Sequence, residues 1–105
     1  MLFSSFVQKL IFKKSSSEAT LKGLQAASEE LVNIQEKDWN DQEIQMRLSL
    51  VVPRHELTNG DVFWPARVAL SGEEKSPSPV ELAVALGKEE TMKRIEKALK
   101  ILSTK

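Results

Sequence analysis

A chain of 105 residues, 41% hydrophobic and 29% charged, has the material for one globular core. At this size roughly two thirds of the unfolded surface can be buried, which excludes a catalytic domain joined to a substrate domain. Fifteen Lys and Arg against fifteen Asp and Glu give a formal net charge of zero, so no global field draws the chain onto a polyanion and any such contact must be local. The absence of cysteine removes disulfides, thiolate metal sites and thiol nucleophiles together. His55 is the sole histidine, with no carboxylate cluster at ligand spacing and no nucleophile to serve, and reads as an ordinary solvent-facing residue. The apolar runs are a few residues long, far short of the ~20 that span a bilayer, so the chain is expected to be soluble.

Residues 1–14 carry Lys9, Lys13 and Lys14, contain no acid and precede three serines, which loosely resembles an organelle transit peptide. They lack Arg, however, and Leu2, Phe3, Phe6, Val7, Leu10 and Ile11 recur in pairs every four positions, so a core helix is expected. Ser15 and Glu18 have capping-box spacing and predict a helix that places Leu21, Leu24, Leu31 and Ile34 on one face to about Gln35. Asn40 and Glu43 form a second capping pair, with Trp39 placed as a staple to Ile44, and the helix from Asp41 should stop at Pro53. Asn59-Gly60 predicts a turn, after which Asp61 should cap a helix that admits Pro65 and ends at Gly72. Ser78-Pro79-Val80-Glu81 combines a capping Ser, a Pro at the first helical position and a Glu, and predicts a short helix to Gly87. From Lys88, the stripe Met92, Ile95, Leu99 and Leu102 predicts a last helix.

No stretch alternates apolar and polar residues convincingly. The expected fold is all-α, a compact cage or bundle of five or six short helices in a single domain over 1–105, with N-terminal helices in 1–52, a loop at 53–60 and C-terminal helices in 61–105.

Three stretches say more: Asp-Val-Phe-Trp-Pro-Ala-Arg-Val-Ala-Leu-Ser-Gly from Asp61, Glu-Glu-Lys-Ser-Pro-Ser-Pro-Val-Glu-Leu from Glu73, and Leu-Gly-Lys-Glu-Glu-Thr-Met-Lys-Arg-Ile from Leu86. In order and spacing they closely resemble the C-terminal end of bacterial-type glutamyl-tRNA synthetases, class I enzymes in which a Pro-Leu-Arg-Val-Ala-Leu-Thr-Gly helix, a Ser/Thr-Pro loop and a Leu-Gly-Lys-Glu helix pair close the chain. Upstream, Leu10 to Leu48 with Asp38-Trp39 resembles the preceding part of the same region more weakly. The resemblance implies a C-terminal anticodon-binding subdomain whose contacts with the anticodon come from Arg67 and the loop residues Ser76, Pro77, Ser78 and Pro79. Splayed bases expose Watson–Crick edges that a guanidinium can meet with two parallel hydrogen bonds, and Pro77 and Pro79 would preorder the loop. This sequence has Ser78-Pro79 where the family often has Gly-Leu or Gly-Pro.

The family's nucleotide-binding half, with its His-Ile-Gly-His and Lys-Met-Ser-Lys-Ser type signatures, has no counterpart in these residues. The resemblance therefore implies a piece of a larger glutamate-tRNA ligase, fragment or separately encoded, with no cofactor in this chain. ATP and Mg²⁺ would belong to the catalytic domain. Implied partners are glutamate tRNA, with glutamine tRNA as a second candidate, and the rest of the synthetase, in the cytoplasm and without membrane or DNA.

Each feature also has a plainer reading. Arg67 could snorkel between apolar neighbours or pair with a carboxylate. Ser78 fits a helix cap, and the two Ser-Pro steps match proline-directed phosphorylation sites by chance. Phe63 and Trp64 could stack on bases, but adjacent aromatics in a helix opening usually enter the core. The charges after Lys88 read as a solvated face, with Lys75 and Lys88 as candidate contacts to tRNA phosphates. As a competing function, the chain would be a helical protein-interaction or scaffold module that no longer binds RNA, docking through Leu2 to Ile11.

Overall fold

A computed structural model describes residues 9–11, 16–73 and 75–103. Five α-helices carry the chain among them: α1 (Ser17–Val32), α2 (Asp41–Arg54), α3 (Asn59–Ser71), α4 (Pro79–Leu86) and α5 (Lys88–Ser103), with one 3₁₀ turn at Glu36–Asp38. No strand occurs among the described residues, and no described helix is long and apolar enough to cross a membrane.

Local chemistry starts most of these helices. Asn40 accepts from the Glu43 N–H at 2.9 Å and opens α2. At α4, Ser78 and Glu81 exchange two hydrogen bonds of 3.2 Å, and Pro79 takes the first helical position. The cap of α1 is Ser16, which accepts from the Ala19 N–H at 3.1 Å, one residue later than the expected Ser15, which lies outside the described residues. Successive serines offer the same cap in adjacent registers, so the local sequence does not choose between them. Helix α1 also ends at Val32, short of Gln35, yet Ile34 stays buried because its N–H turns back to the Leu31 carbonyl at 3.1 Å.

The larger departure is at α3. The expected Asn59-Gly60 turn is the first helical turn, and the cap is Thr58 rather than Asp61. Asp61 sits three residues on and completes a capping box, its carboxylate accepting from the Thr58 N–H at 2.9 Å. Pro65 consequently lies in the helix interior and not in its first turn. Pro53 is likewise helical, because α2 runs to Arg54. The N–H that Pro53 lacks would have met the carbonyl of exposed Ser49, which water can satisfy. Gly72 and Gly87 stop their helices at φ of 78° and 85°, as expected.

Helix α1 forms the centre and packs on α2, α3 and α5, while α4 bridges α2, α3 and α5. Leu24, Leu31, Ile44, Leu48, Val62 and Ile95 meet there with almost no exposure. Trp39 packs against this core and donates its indole N–H to the Ala83 carbonyl at 2.9 Å, tying the start of α2 to α4. Of the expected N-terminal helix, residues 9–11 are described: Leu10 is fully buried, and the Lys9 carbonyl accepts the Trp64 indole N–H at 2.7 Å. Its other residues lie outside the described ones.

Between α1 and α2 stands a charge network. Glu30 accepts from Arg47 at 3.0 Å and from Arg54 at 2.8 Å, and Arg47 also meets Glu43 at 2.8 Å. The Arg47 hydrogen bond, opposed by burial and reinforced by Arg54, holds the Glu30 carboxyl below its ordinary range. A depressed folded value stabilises the fold above the unfolded value of 4.5 and loses that contribution as pH falls through the folded one. Glu30→Gln should therefore cost about 1 kcal/mol near neutral pH. In urea unfolding followed from pH 7 downward, the difference between the two proteins should shrink below the ordinary carboxylate range. A difference that stays constant down to pH 3 would overturn this assignment.

Candidate nucleic-acid interface

Helix α3 is enclosed on most sides, with Asp61, Val62, Pro65, Ala66, Val68, Ala69 and Leu70 buried. What remains open is a stripe at four-residue spacing, Asn59, Phe63, Arg67 and Ser71, with Gly60 and Trp64 beside it. Asn59, Gly60, Phe63, Trp64 and Arg67 line a cavity of about 210 Å³ open to the surface. Both aromatics pack their inner sides against the core and keep part of their surface in this cavity.

Arg67 lies half-buried in the stripe, its guanidinium carbon 6.0 Å from the centre of the Trp64 ring, at the outer reach of a cation–π contact. Its Nε is buried and has no hydrogen-bond partner among the described residues. No described carboxylate lies within ion-pair distance of it, so the plain reading of Arg67 as a structural ion pair does not hold among the described residues. An unsatisfied buried donor costs about 1–3 kcal/mol.

The loop residues fall into two sets. Ser78 has committed its hydroxyl and its N–H to the cap of α4, and Pro79 is buried as the first residue of that helix. Pro77 is exposed, and the half-buried Ser76 hydroxyl meets only the adjacent Pro77 carbonyl at 3.2 Å. Lys75 is exposed, and no hydrogen bond joins Arg67 to any described residue of this loop. What links the helix to the loop is Ser71, whose Oγ lies 2.9 Å from the carbonyl oxygens of both Arg67 and Glu73 and accepts from the Glu73 N–H at 3.0 Å. Lys88 stands elsewhere, in a groove with Glu36, Glu89, Met92, Lys93 and Glu96, where carboxylates outweigh ammonium groups.

Sequence reasoning missed Asn59 and Gly60 as neighbours of Arg67. The signal was available in Thr58-x-x-Asp61, which starts the helix early enough to bring Asn59 two turns before Arg67 on the same face.

Comparison with known proteins settles the lineage. The family described as an anticodon binding domain matches residues 3–99. The chain belongs to the anticodon binding domain family. Over 90 residues, 85% of the chain, it is 36% identical to a glutamate–tRNA ligase of Clostridium botulinum. It is 39% identical over 83 residues to that of Clostridium novyi and 31% identical over 96 residues, 91% of the chain, to that of Roseiflexus castenholzii. This anticodon binding domain spans 19%, 17% and 18% of those ligases respectively. The match takes in the helices before Asp61 as well as those after it, so the upstream resemblance, weaker by eye, belongs to the same domain.

Proposed function

We propose that this domain recognises the anticodon of glutamate tRNA as the non-catalytic part of a glutamate–tRNA ligase, with Arg67 as the base-reading group and Ser76 and Pro77 as the accessible part of the neighbouring loop. The observation that carries the reading is a guanidinium with no ion pair among the described residues, set in an open cavity beside two aromatic rings, in a chain of the anticodon binding family. Such a group reads an unstacked base by paired donors on its edge, while Phe63 and Trp64 offer apolar surface to its face. Activation of glutamate, with its ATP and Mg²⁺, belongs to the remainder of such a ligase, acting in the cytoplasm. Glutamine tRNA is a second candidate partner.

The scaffold reading rests on Leu2 to Ile11 as an exposed docking face, and of that segment residues 9–11 are described. There, Leu10 is fully buried and Ile11 packs against the core, which leaves neither free to dock a partner.

Titrating the full chain with a glutamate tRNA anticodon stem-loop at low salt tests the proposal. Zero net charge limits counterion release, so a dissociation constant of about 10⁻⁵–10⁻⁴ M is expected. A loop with its anticodon bases replaced should bind about tenfold more weakly, a difference of about 1.4 kcal/mol. Equal affinity for both loops would overturn the reading.

A further inference from the structure

We propose that the groove between the C-terminal end of α3 and the outer face of α5 holds phosphate groups of the RNA backbone through Lys93 and Lys97, with Arg94 fixing the groove's shape. The inference rests on the function proposed above and adds a second, sequence-independent contact to it.

The groove encloses about 630 Å³, with Ala69, Ala98 and Ile101 as an apolar floor and Lys93, Arg94, Lys97 and Glu90 as its charged lining. In a chain of zero net charge this is a local excess of cations. Arg94 is already engaged: its Nε donates to Glu90 at 2.8 Å and its NH1 donates to the Leu70 carbonyl in the last turn of α3. It therefore neutralises the Glu90 carboxylate, satisfies a helix-terminal acceptor and pins α3 to α5. Lys93 and Lys97 are exposed and form no ion pair among the described residues. Four residues apart on one helix face, their Cβ atoms stand about 5–6 Å from each other, and like charges so placed repel. An anion between them turns that repulsion into attraction.

Two features point to nucleic-acid backbone as the occupant. Ser71 lines this groove and lies four residues, about 6 Å, along α3 from Arg67, so the groove continues the stripe that carries the base-reading arginine. On the other side of Lys93 lies the groove with Lys88, Glu36, Glu89 and Glu96, where carboxylates outnumber ammonium groups and a polyanion is less favoured than beside Lys97.

The test measures anisotropy of a labelled anticodon stem-loop against the full chain over about 20–200 mM salt, for wild type and for the double variant Lys93→Ala/Lys97→Ala. Exposed helical Lys→Ala changes keep the fold, which a thermal melt checks. The double variant should bind about tenfold more weakly at low salt and lower the slope of log K against log salt by about one to two. It should keep the preference between the cognate and base-replaced loops, and Lys93→Arg/Lys97→Arg should restore the slope. An undiminished slope, or a lost loop preference, overturns the groove assignment while leaving the proposed function standing. No RNA binding by wild type at any salt overturns both. Pull-down of the purified remainder of the ligase that the double variant alone loses, with RNA binding intact, gives the groove to a protein partner and also overturns the inference.

Discussion

Replacing Gly23 by Ala should destabilise the domain by about 2–3 kcal/mol and lower its melting temperature by roughly 10–15 °C. The sign is the informative part, because Ala inside a helix ordinarily stabilises by about 1 kcal/mol over Gly. Gly23 lies mid-way along α1 and is buried where α1 crosses α3. A Cβ there would collide with the Asp61 carbonyl oxygen, stand 2.9 Å from the Asp61 carbonyl carbon and reach Val62 Cα at 3.5 Å. These are backbone atoms, which cannot rotate aside as a side chain would, so the two helices would have to separate. Pro65 sharpens the constraint. It cannot donate to the carbonyl four residues before it, that of Asp61, and this is the oxygen that lies against Gly23. Thermal unfolding of Gly23→Ala beside exposed Gln25→Ala, which should change stability by no more than about 0.5 kcal/mol, makes the comparison. An unchanged or higher melting temperature for Gly23→Ala would show that the contact yields.

Gly23 also marks where the sequence stops being legible. Its need for glycine arises from a neighbour 38 positions along the chain, and nothing adjacent to it signals the contact. By contrast, Ser78-Pro79-Val80-Glu81 announces α4 because cap, proline and glutamate act within one turn. The stripe of α5 was equally readable, with Ile95 and Leu102 buried and Met92 and Leu99 packed against the core. Two local signals competed at α3: Asn59-Gly60 suits a turn, while Thr58 and Asp61 suit a cap, and the reciprocal hydrogen bonds of the box prevailed. For the candidate site, Arg67 was found through resemblance, since periodicity alone leaves an arginine amid apolar residues ambiguous. The sequence could propose Ser78 and Pro79 as contacts but could not show that cap and burial already engage them. In sequence the charges after Lys88 describe a solvated face, and that they line a groove follows from the packing of α5 on α3, where Arg94 meets the Leu70 carbonyl 24 residues away.

Arg67→Ala should abolish the preference for the cognate anticodon loop, a loss of about tenfold or about 1.4 kcal/mol, while costing the fold little. Removing the guanidinium gives up its contact with Trp64, worth about 0.5–1 kcal/mol at a partly exposed site. It also removes a buried Nε that lacks a partner, whose desolvation costs about 1–3 kcal/mol, so the melting temperature should stay level or rise. Arg67→Lys separates charge from geometry: an ammonium keeps the attraction to RNA but cannot present two parallel donors, so total affinity should recover more than discrimination does. In a glutamate–tRNA ligase carrying this domain, Arg67→Ala should depress charging through the tRNA KM and leave glutamyl-adenylate formation unchanged. If instead Arg67→Ala unfolds the domain, or lowers adenylate formation and charging equally, Arg67 braces α3 and the anticodon must be read by other groups.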